Sequence, residues 1–430
     1  MLVIEEGRII DPASGRDEVG DVVIEQGRIL RVGRGASANL PFHPEIRRIS
    51  ARGLWVVPGL IDLHVHLREP GGESKEDIVS GLQAAAAGGF TAVCSMPNTN
   101  PPNDCPAITR YQLARAQAAC GVRLYPFGAI TVGRRGEKLT GMWELREAGA
   151  IGVSDDGNCV TSPVLMRRAL EQAKEADLLL SQHCEESSLT HDADMHEGPI
   201  SALLGLRGWP PEAEEIIVAR DIILNERIGA RYHVAHISTR GALRWVREAK
   251  ARGIPVSAEV TPHHLFLSDR AVIGYRTFCK VNPPLRSNED IAALREALSD
   301  GTIDCVATDH APHGPAEKKV PFSEAAPGMI GLETALPLML KLVRHGIISP
   351  SRMVEAMSTA PARIAKIEGG TLSPGAVADI TIIDPDFKWV LTPSSLHSKQ
   401  CNTPWLGEEM QGVATHTIVN GRIIFERKPR

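Results

Sequence analysis

The sequence predicts an α/β protein: a (β/α)8 TIM-type barrel carrying a small β-sandwich domain built from both chain ends. Three observations predict it. Eight short apolar, β-branched runs alternate with helical patterns through the middle of the chain. A Gly-centred turn motif recurs near both ends. No Gly-x-Gly-x-x-Gly follows the first run, which weakens the main alternative, a doubly wound open sheet.

The eight runs cover residues 60–66, 90–96, 124–130, 151–155, 178–183, 232–237, 256–260 and 304–308. Helical patterns lie between them, for example at 163–176, 211–225, 240–251 and 288–298, several with Ser, Thr or Asn near the start. Near-continuous apolar strands alternating with helices imply a parallel sheet covered by helices. Eight such units match a closed barrel. At the ends, Glu6-Gly7-Arg8, Gln26-Gly27-Arg28 and Asn420-Gly421-Arg422 each read as a hairpin turn between strands, and 378–384 reads as a further strand. The expected organisation is 1–56 and 370–430 in the small β domain and 57–369 in the barrel.

Composition excludes several classes of function. Of 430 residues, 43% are hydrophobic and 23% charged, close to globular averages. The net charge of −5, with no basic block, gives no case for a nucleic-acid partner. The start, Met1-Leu2-Val3-Ile4-Glu5-Glu6, does not read as a signal peptide. No apolar run reaches the roughly 18 residues of a membrane span. The eight cysteines form no Cys-x-x-Cys pair, a pattern that fits buried free thiols in a reducing cytoplasm.

Chemistry falls where a barrel places it, at the C-terminal ends of the strands. His64 and His66 close the first run, Asp155 and Asp156 the fourth, His183 the fifth and His236 the sixth, and Asp309 follows the eighth. With side chains alternating in period two, Asp62, His64, His66 and Arg68 share one face, and Leu63, Val65 and Leu67 the other. Two imidazoles at i and i+2 converge on one ion, and the carboxylates add oxygen ligands. Singly, His183 and His236 read equally well as hydrogen-bonded core histidines. Together with the other strand ends they compose a set of four histidines and two aspartates, which fits a pair of metal ions with a carboxylate between them. His233, out of step with His236, reads as structural, as do His263 and His264. Either His310 or His313 reaches a substrate beyond Asp309. Histidines 43, 191, 196, 345, 397 and 416 read as surface or core. The 311–330 segment, with Gly314, Pro315, Pro321 and Gly328, reads as a lid.

The motifs resemble those of the amidohydrolase superfamily and, within it, the class I dihydroorotases of bacteria. The first matching run, 58–71, is Pro-Gly-Leu-Ile-Asp-Leu-His-Val-His-Leu-Arg-Glu-Pro-Gly. Met96-Pro97-Asn98-Thr99, Ser154-Asp155-Asp156-Gly157, Val281-Asn282-Pro283-Pro284-Leu285-Arg286 and Ala307-Thr308-Asp309-His310-Ala311-Pro312-His313 follow in the family's order. The resemblance implies two Zn2+ ions per chain. His64, His66 and Asp309 would hold the first and His183 and His236 the second, with Asp156 between. It also implies substrate contacts from His66, Arg68, Asn98, Asn282, His313, Pro327 and Gly328. Where the family often has an aromatic before that glycine, this chain has Pro327.

The implied activity is reversible cyclisation of N-carbamoyl-L-aspartate to L-dihydroorotate, a step of pyrimidine synthesis, with Asp309 moving the proton. Arg68 suits the substrate carboxylate. Hydantoinases, dihydropyrimidinases and allantoinases are the alternative within the class, but the fourth run ends in aspartates, where those enzymes resemble a lysine-bridged version. A catalytically silent partner of aspartate transcarbamoylase is the alternative of another class, and it should have lost ligands that this chain retains. The resemblance also implies a homodimer and allows association with aspartate transcarbamoylase.

Overall fold

The structure, a computed structural model, describes residues 1–38, 40 and 45–428; His43 lies outside them. Among these residues the eight barrel strands are β1 (Leu60–Val65), β2 (Phe90–Ser95), β3 (Arg123–Gly128), β4 (Gly152–Val153), β5 (Leu179–Gln182), β6 (Tyr232–Val234), β7 (Val256–Val260) and β8 (Cys305–Val306). They pair in chain order, all parallel. A bridge between Val65 and His310, with the His66 amide donating to the His310 carbonyl at 2.9 Å, closes the ring. Every expected run contributes a strand. The fourth and eighth are only two residues long because the chain leaves the sheet just before its aspartates.

Helices start where the local chemistry directs. Asp77, Ser162, Thr239 and Ser287 cap the helices Ile78–Gly88, Pro163–Glu175, Arg240–Ala251 and Asn288–Asp300, each side chain accepting a first-turn amide. Such a cap contributes about 1 kcal/mol, whereas burying one Leu or Val side chain contributes about 1.5–3 kcal/mol. Caps therefore set the starts, and packing holds the helices in place. Leu180, Val234, Ala258 and Val260 pack outward against Leu170, Ile217, Leu243 and Leu294. Inside the ring, Leu63, Cys94, Phe127, Leu179 and Cys305 meet Ala360 and Ala362 of the helix Ala360–Ala365. Leu63 thus breaks the expected alternation. Val65 and Leu67 face the helices, but pairing with β2 shifts register between Asp62 and Val65, which turns Leu63 inward.

Both chain ends share one hydrogen-bonded sheet. The strand Leu2–Asp11 pairs along one edge with Arg16–Glu25, and along the other with both Arg47–Ser50 and Trp55–Pro58, so the sheet forks there. Ile380–Val390 adds onto Trp55–Pro58, joining the late strands to the early ones. Gln26-Gly27 and Asn420-Gly421 are hairpin turns as expected, both residues of each pair having positive φ. Glu6-Gly7 is not a turn. It is a bulge inside Leu2–Asp11, where Glu6 takes φ 60° and its amide donates to Asp21 Oδ1 at 3.0 Å. Gly7 is required there because a Cβ would lie 2.4 Å from Val56 Cγ2. Gly7→Ala is therefore expected to destabilise the protein by about 1–3 kcal/mol through overpacking. Chemical unfolding checks this, and an unchanged midpoint would contradict it.

All eight cysteines are free. Cys94, Cys184, Cys279 and Cys305 are buried as expected, and the other four are half-buried at loops and helix ends. No helix among the described residues is long and apolar enough to cross a membrane.

Candidate active site

The six strand-end residues converge. β1 and its exit deliver His64 and His66, the segment after β4 delivers Asp156, and the exits of β5, β6 and β8 deliver His183, His236 and Asp309; all six are buried. Asp156 sits at the centre. Its Oδ1 lies 3.2 Å from His64 Nε2, 3.4 Å from His236 Nε2 and 3.7 Å from His183 Nδ1, and its Oδ2 lies 3.4 Å from His66 Nε2. Asp309 Oδ1 lies 2.9 Å from His66 Nε2 and 3.6 Å from His64 Nε2. Asp155 turns away, accepting the Thr131 amide at 3.0 Å and the Thr131 hydroxyl. The pair that periodicity left open is thus separated by geometry, with Asp156 inward and Asp155 structural.

The imidazoles are set by partners outside the cluster. His64 Nδ1 donates to Glu259 Oε1 at 2.7 Å, His66 Nδ1 to Asn98 Oδ1 at 2.7 Å, and His183 Nε2 to Glu185 Oε2 at 2.9 Å. A proton on the outer nitrogen leaves the inner one with a lone pair, the form a metal requires. Burial works against charge on His64, but Asp156 and Glu259 outweigh it and hold its pKa well above the ordinary value. His183 is likewise pushed up to about 10 against burial, by Asp156 and Glu185. Burial raises the Asp156 and Asp309 carboxyls, yet their histidine neighbours bring both below the usual carboxylate range.

This donor set fits a divalent metal ion. His64 Nε2 and Asp156 Oδ1 are buried with no hydrogen-bond partner. An uncompensated buried charge costs several kcal/mol, and one cation compensates several ligands at once, releasing their protons as it binds. The trios His64–His66–Asp309 and His64–Asp156–His236 each bring ligand atoms within 4.8 Å of one another. His183 stands just outside the second trio, with its Nδ1 3.0 Å from His236 Nε2. A third trio, His233–Glu259–Cys305, lies deeper. There His233 is engaged by Ser257 and Glu259 at 2.7 and 3.1 Å, which makes it structural, as expected.

A cavity of about 200 Å³ opens above the cluster, lined by His66, Arg68, Asn98, Asn282, His313, Pro327 and Gly328 among others. His313, not His310, faces it. His310 is fully buried, with Nδ1 accepting the Gly331 amide at 3.2 Å. His313 Nε2 accepts from Arg68 Nη2 at 3.2 Å. Burial, with the Arg68 charge adding to it, drives the His313 pKa down to about 3, so its imidazole stays neutral. Gly328 has φ 131°, and a Cβ there would lie 2.7 Å from Ala311 Cβ. The 311–330 segment carries a short helix, Pro315–Lys318, and is tied down by Lys280 Nζ, which donates to the Phe322 and Ser323 carbonyls.

Sequence reasoning missed two residues, Glu259 and Glu185, and the backbone conformation of three that it had named. Glu259 and Glu185, the partners of His64 and His183, carry no motif of their own; a carboxylate at or just beyond a strand end was the only available signal. Arg68, His236 and Asp309 adopt φ 61°, 30° and 47°. Left-handed backbone at residues other than glycine is costly and collects at functional sites. His264 is structural as expected, held by Thr261 and the Pro283 carbonyl, while His263 is buried with Nε2 unpartnered.

A closed parallel barrel whose strand ends gather buried histidines and aspartates beneath a small polar cavity defines the class of metal-dependent amidohydrolases. Residues 53–242 match the family model for dihydro-orotase-like proteins, and residues 234–425 that of the amidohydrolase family. The chain is 52% identical over 428 residues to the dihydroorotase of Anaeromyxobacter dehalogenans strain 2CP-1, covering 99% of this chain and 98% of the relative. It is 51% identical to that of Pelobacter propionicus, covering 99% of this chain and all of the relative. The chain belongs to the dihydroorotase family. Among solved structures, the L-hydantoinase of Arthrobacter aurescens superposes with a TM-score of 0.89 at 23% identity, covering 100% of this chain and 96% of that one, and thereby shows the fold.

Proposed function

We propose that this enzyme interconverts N-carbamoyl-L-aspartate and L-dihydroorotate, a step of pyrimidine synthesis, at the cluster centred on Asp156. The observation that carries the reading is the meeting, in one small cavity, of the His/Asp cluster with the cationic Arg68. The cavity volume suits a single small ring. Its Arg68 guanidinium suits a carboxylate, which dihydroorotate carries and hydantoin, dihydrouracil and allantoin do not.

In this reading His64, His66, Asp156, His183, His236 and Asp309 would hold the two Zn2+ ions. When bound, the metal pair supplies a nucleophilic water at neutral pH and polarises the ring carbonyl. The remaining work belongs to the chain. Glu259 and Asn98 keep His64 and His66 in the tautomer that points Nε2 inward. Arg68 and the Asn98 amide hold the substrate carboxylate, and His313, kept neutral, orients Arg68. The Asp309 carboxylate takes a proton from the attacking water and delivers it to the leaving ring nitrogen; in the cyclising direction it returns the proton.

A cytoplasmic location is supported by the free thiols. A homodimer and an association with aspartate transcarbamoylase rest on the family resemblance alone. The test of the activity is turnover of L-dihydroorotate beside dihydrouracil and allantoin. Preference for dihydroorotate is expected, and preference for either of the others would overturn the reading.

A further inference from the structure

We infer that Glu185 determines substrate specificity by fixing which end of the Asn282 amide faces the cavity. The inference rests on the dihydroorotate reading and adds a positioning residue to it. Glu185 lies two residues beyond His183, largely buried. Its Oε2 accepts from His183 Nε2 at 2.9 Å and from Asn282 Nδ2 at 3.2 Å, and its Oε1 receives the Thr190 hydroxyl. An ionised carboxylate only accepts hydrogen bonds. The amide nitrogen of Asn282 must therefore turn toward Glu185, and its Oδ1 must turn the other way. That oxygen is buried and has no partner, and Asn282 lines the cavity. A buried amide oxygen without a donor is unfavourable, so the site is built to receive an N–H.

Asn98 is set the opposite way. Its Oδ1 takes the His66 Nδ1 proton, and its Nδ2 lies on the Gly157 side, 3.6 Å from where a Gly157 Cβ would stand. Gly157 also lines the cavity. The two amides belong to opposite parts of the ring, Asn98 beside the exits of β1 and β2 and Asn282 beside the exit of β5. The cavity thus presents donors, Arg68 and Asn98 Nδ2, on one side and an acceptor, Asn282 Oδ1, on the other. A ring with a carboxylate at one edge and an N–H at another meets both. A ring offering only acceptors leaves Asn282 Oδ1 unpaired, and Glu185 prevents the amide from flipping to suit it.

The test is a double-mutant cycle with L-dihydroorotate as substrate, in wild type, Glu185→Ala, Asn282→Ala and the double variant, with metal content measured throughout. With Zn2+ held in excess, because Glu185 also holds His183, Glu185→Ala is expected to raise KM at least tenfold and to lower kcat less. In the Asn282→Ala background the same change should cost no more than about twofold, because coupled residues are not additive. Glu185→Gln should recover most of the lost KM, since its oxygen can still accept from Asn282 while its NH2 turns to Thr190. Equal losses in both backgrounds would overturn the inference, since a role through His183 alone would not depend on Asn282. If Glu185→Ala does not fold, the unaltered enzyme decides with dihydroorotate methylated at each ring nitrogen in turn. At least one isomer should lose about 100-fold or more in kcat/KM; two unimpaired isomers would overturn the inference. Failure of wild type to turn over dihydroorotate would be a different result, since it removes the functional reading itself.

Discussion

Asp309→Asn is expected to lower kcat by about 10²–10⁴-fold, the range that a positioned acid–base group contributes, while the protein keeps its fold. Asparagine matches aspartate in shape and retains an oxygen for the ligand position, but it cannot accept a proton at neutral pH. The backbone tolerates the change. Asp309 has φ 47°, a region that asparagine visits more readily than most residues. The residue also lies at the mouth of the barrel, 2.9 Å from His66 and outside the apolar clusters, so little packing depends on it. The measurement is kcat on L-dihydroorotate, with circular dichroism and metal content as controls. Near-normal turnover would remove Asp309 as the proton shuttle.

Arg68→Met is expected to raise KM for dihydroorotate by about 10–150-fold, the loss of a hydrogen-bonded ion pair worth about 1.5–3 kcal/mol, with metal content unchanged. Methionine keeps an unbranched stem but has no guanidinium. Arg68 is half-buried, and its Nε and Nη2 reach the Pro312 carbonyl and His313, both at 3.2 Å. Burial lowers its pKa from the ordinary guanidinium value, with Asp309 and Glu317 opposing that shift; a guanidinium stays protonated in proteins, so Arg68 is a cation. Substitution thus removes the cation proposed to meet the substrate carboxylate and also frees His313. Steady-state kinetics beside metal analysis separates the possible roles. Loss of metal with KM unchanged would make Arg68 a structural residue.

Much of this was legible in the sequence because the relevant periods are short. A barrel strand needs only a few apolar residues, so all eight were visible as runs, and the candidate ligands stood out because each ends or directly follows one. Features that depend on distant neighbours were not visible. Glu6-Gly7 has the same local signature as Gln26-Gly27, and only the approach of Val56 distinguishes a bulge from a turn. The inward turn of Leu63 follows from a register shift against β2, which alternation along one strand cannot reveal. Glu259 stands 195 residues from His64 along the chain yet 2.7 Å from it in space. Neither residue marks the other locally, so the network that sets the imidazole tautomers emerges only when the ring closes.

The central claim is that the His/Asp cluster is a metal centre that turns over dihydroorotate. The most direct measurement is the metal content of the purified protein, followed by chelation and titration with Zn2+ while L-dihydroorotate turnover is monitored. Two zinc ions per chain are predicted, with activity lost on chelation and restored as the sites refill. Full turnover of dihydroorotate by protein stripped of metal would contradict the account.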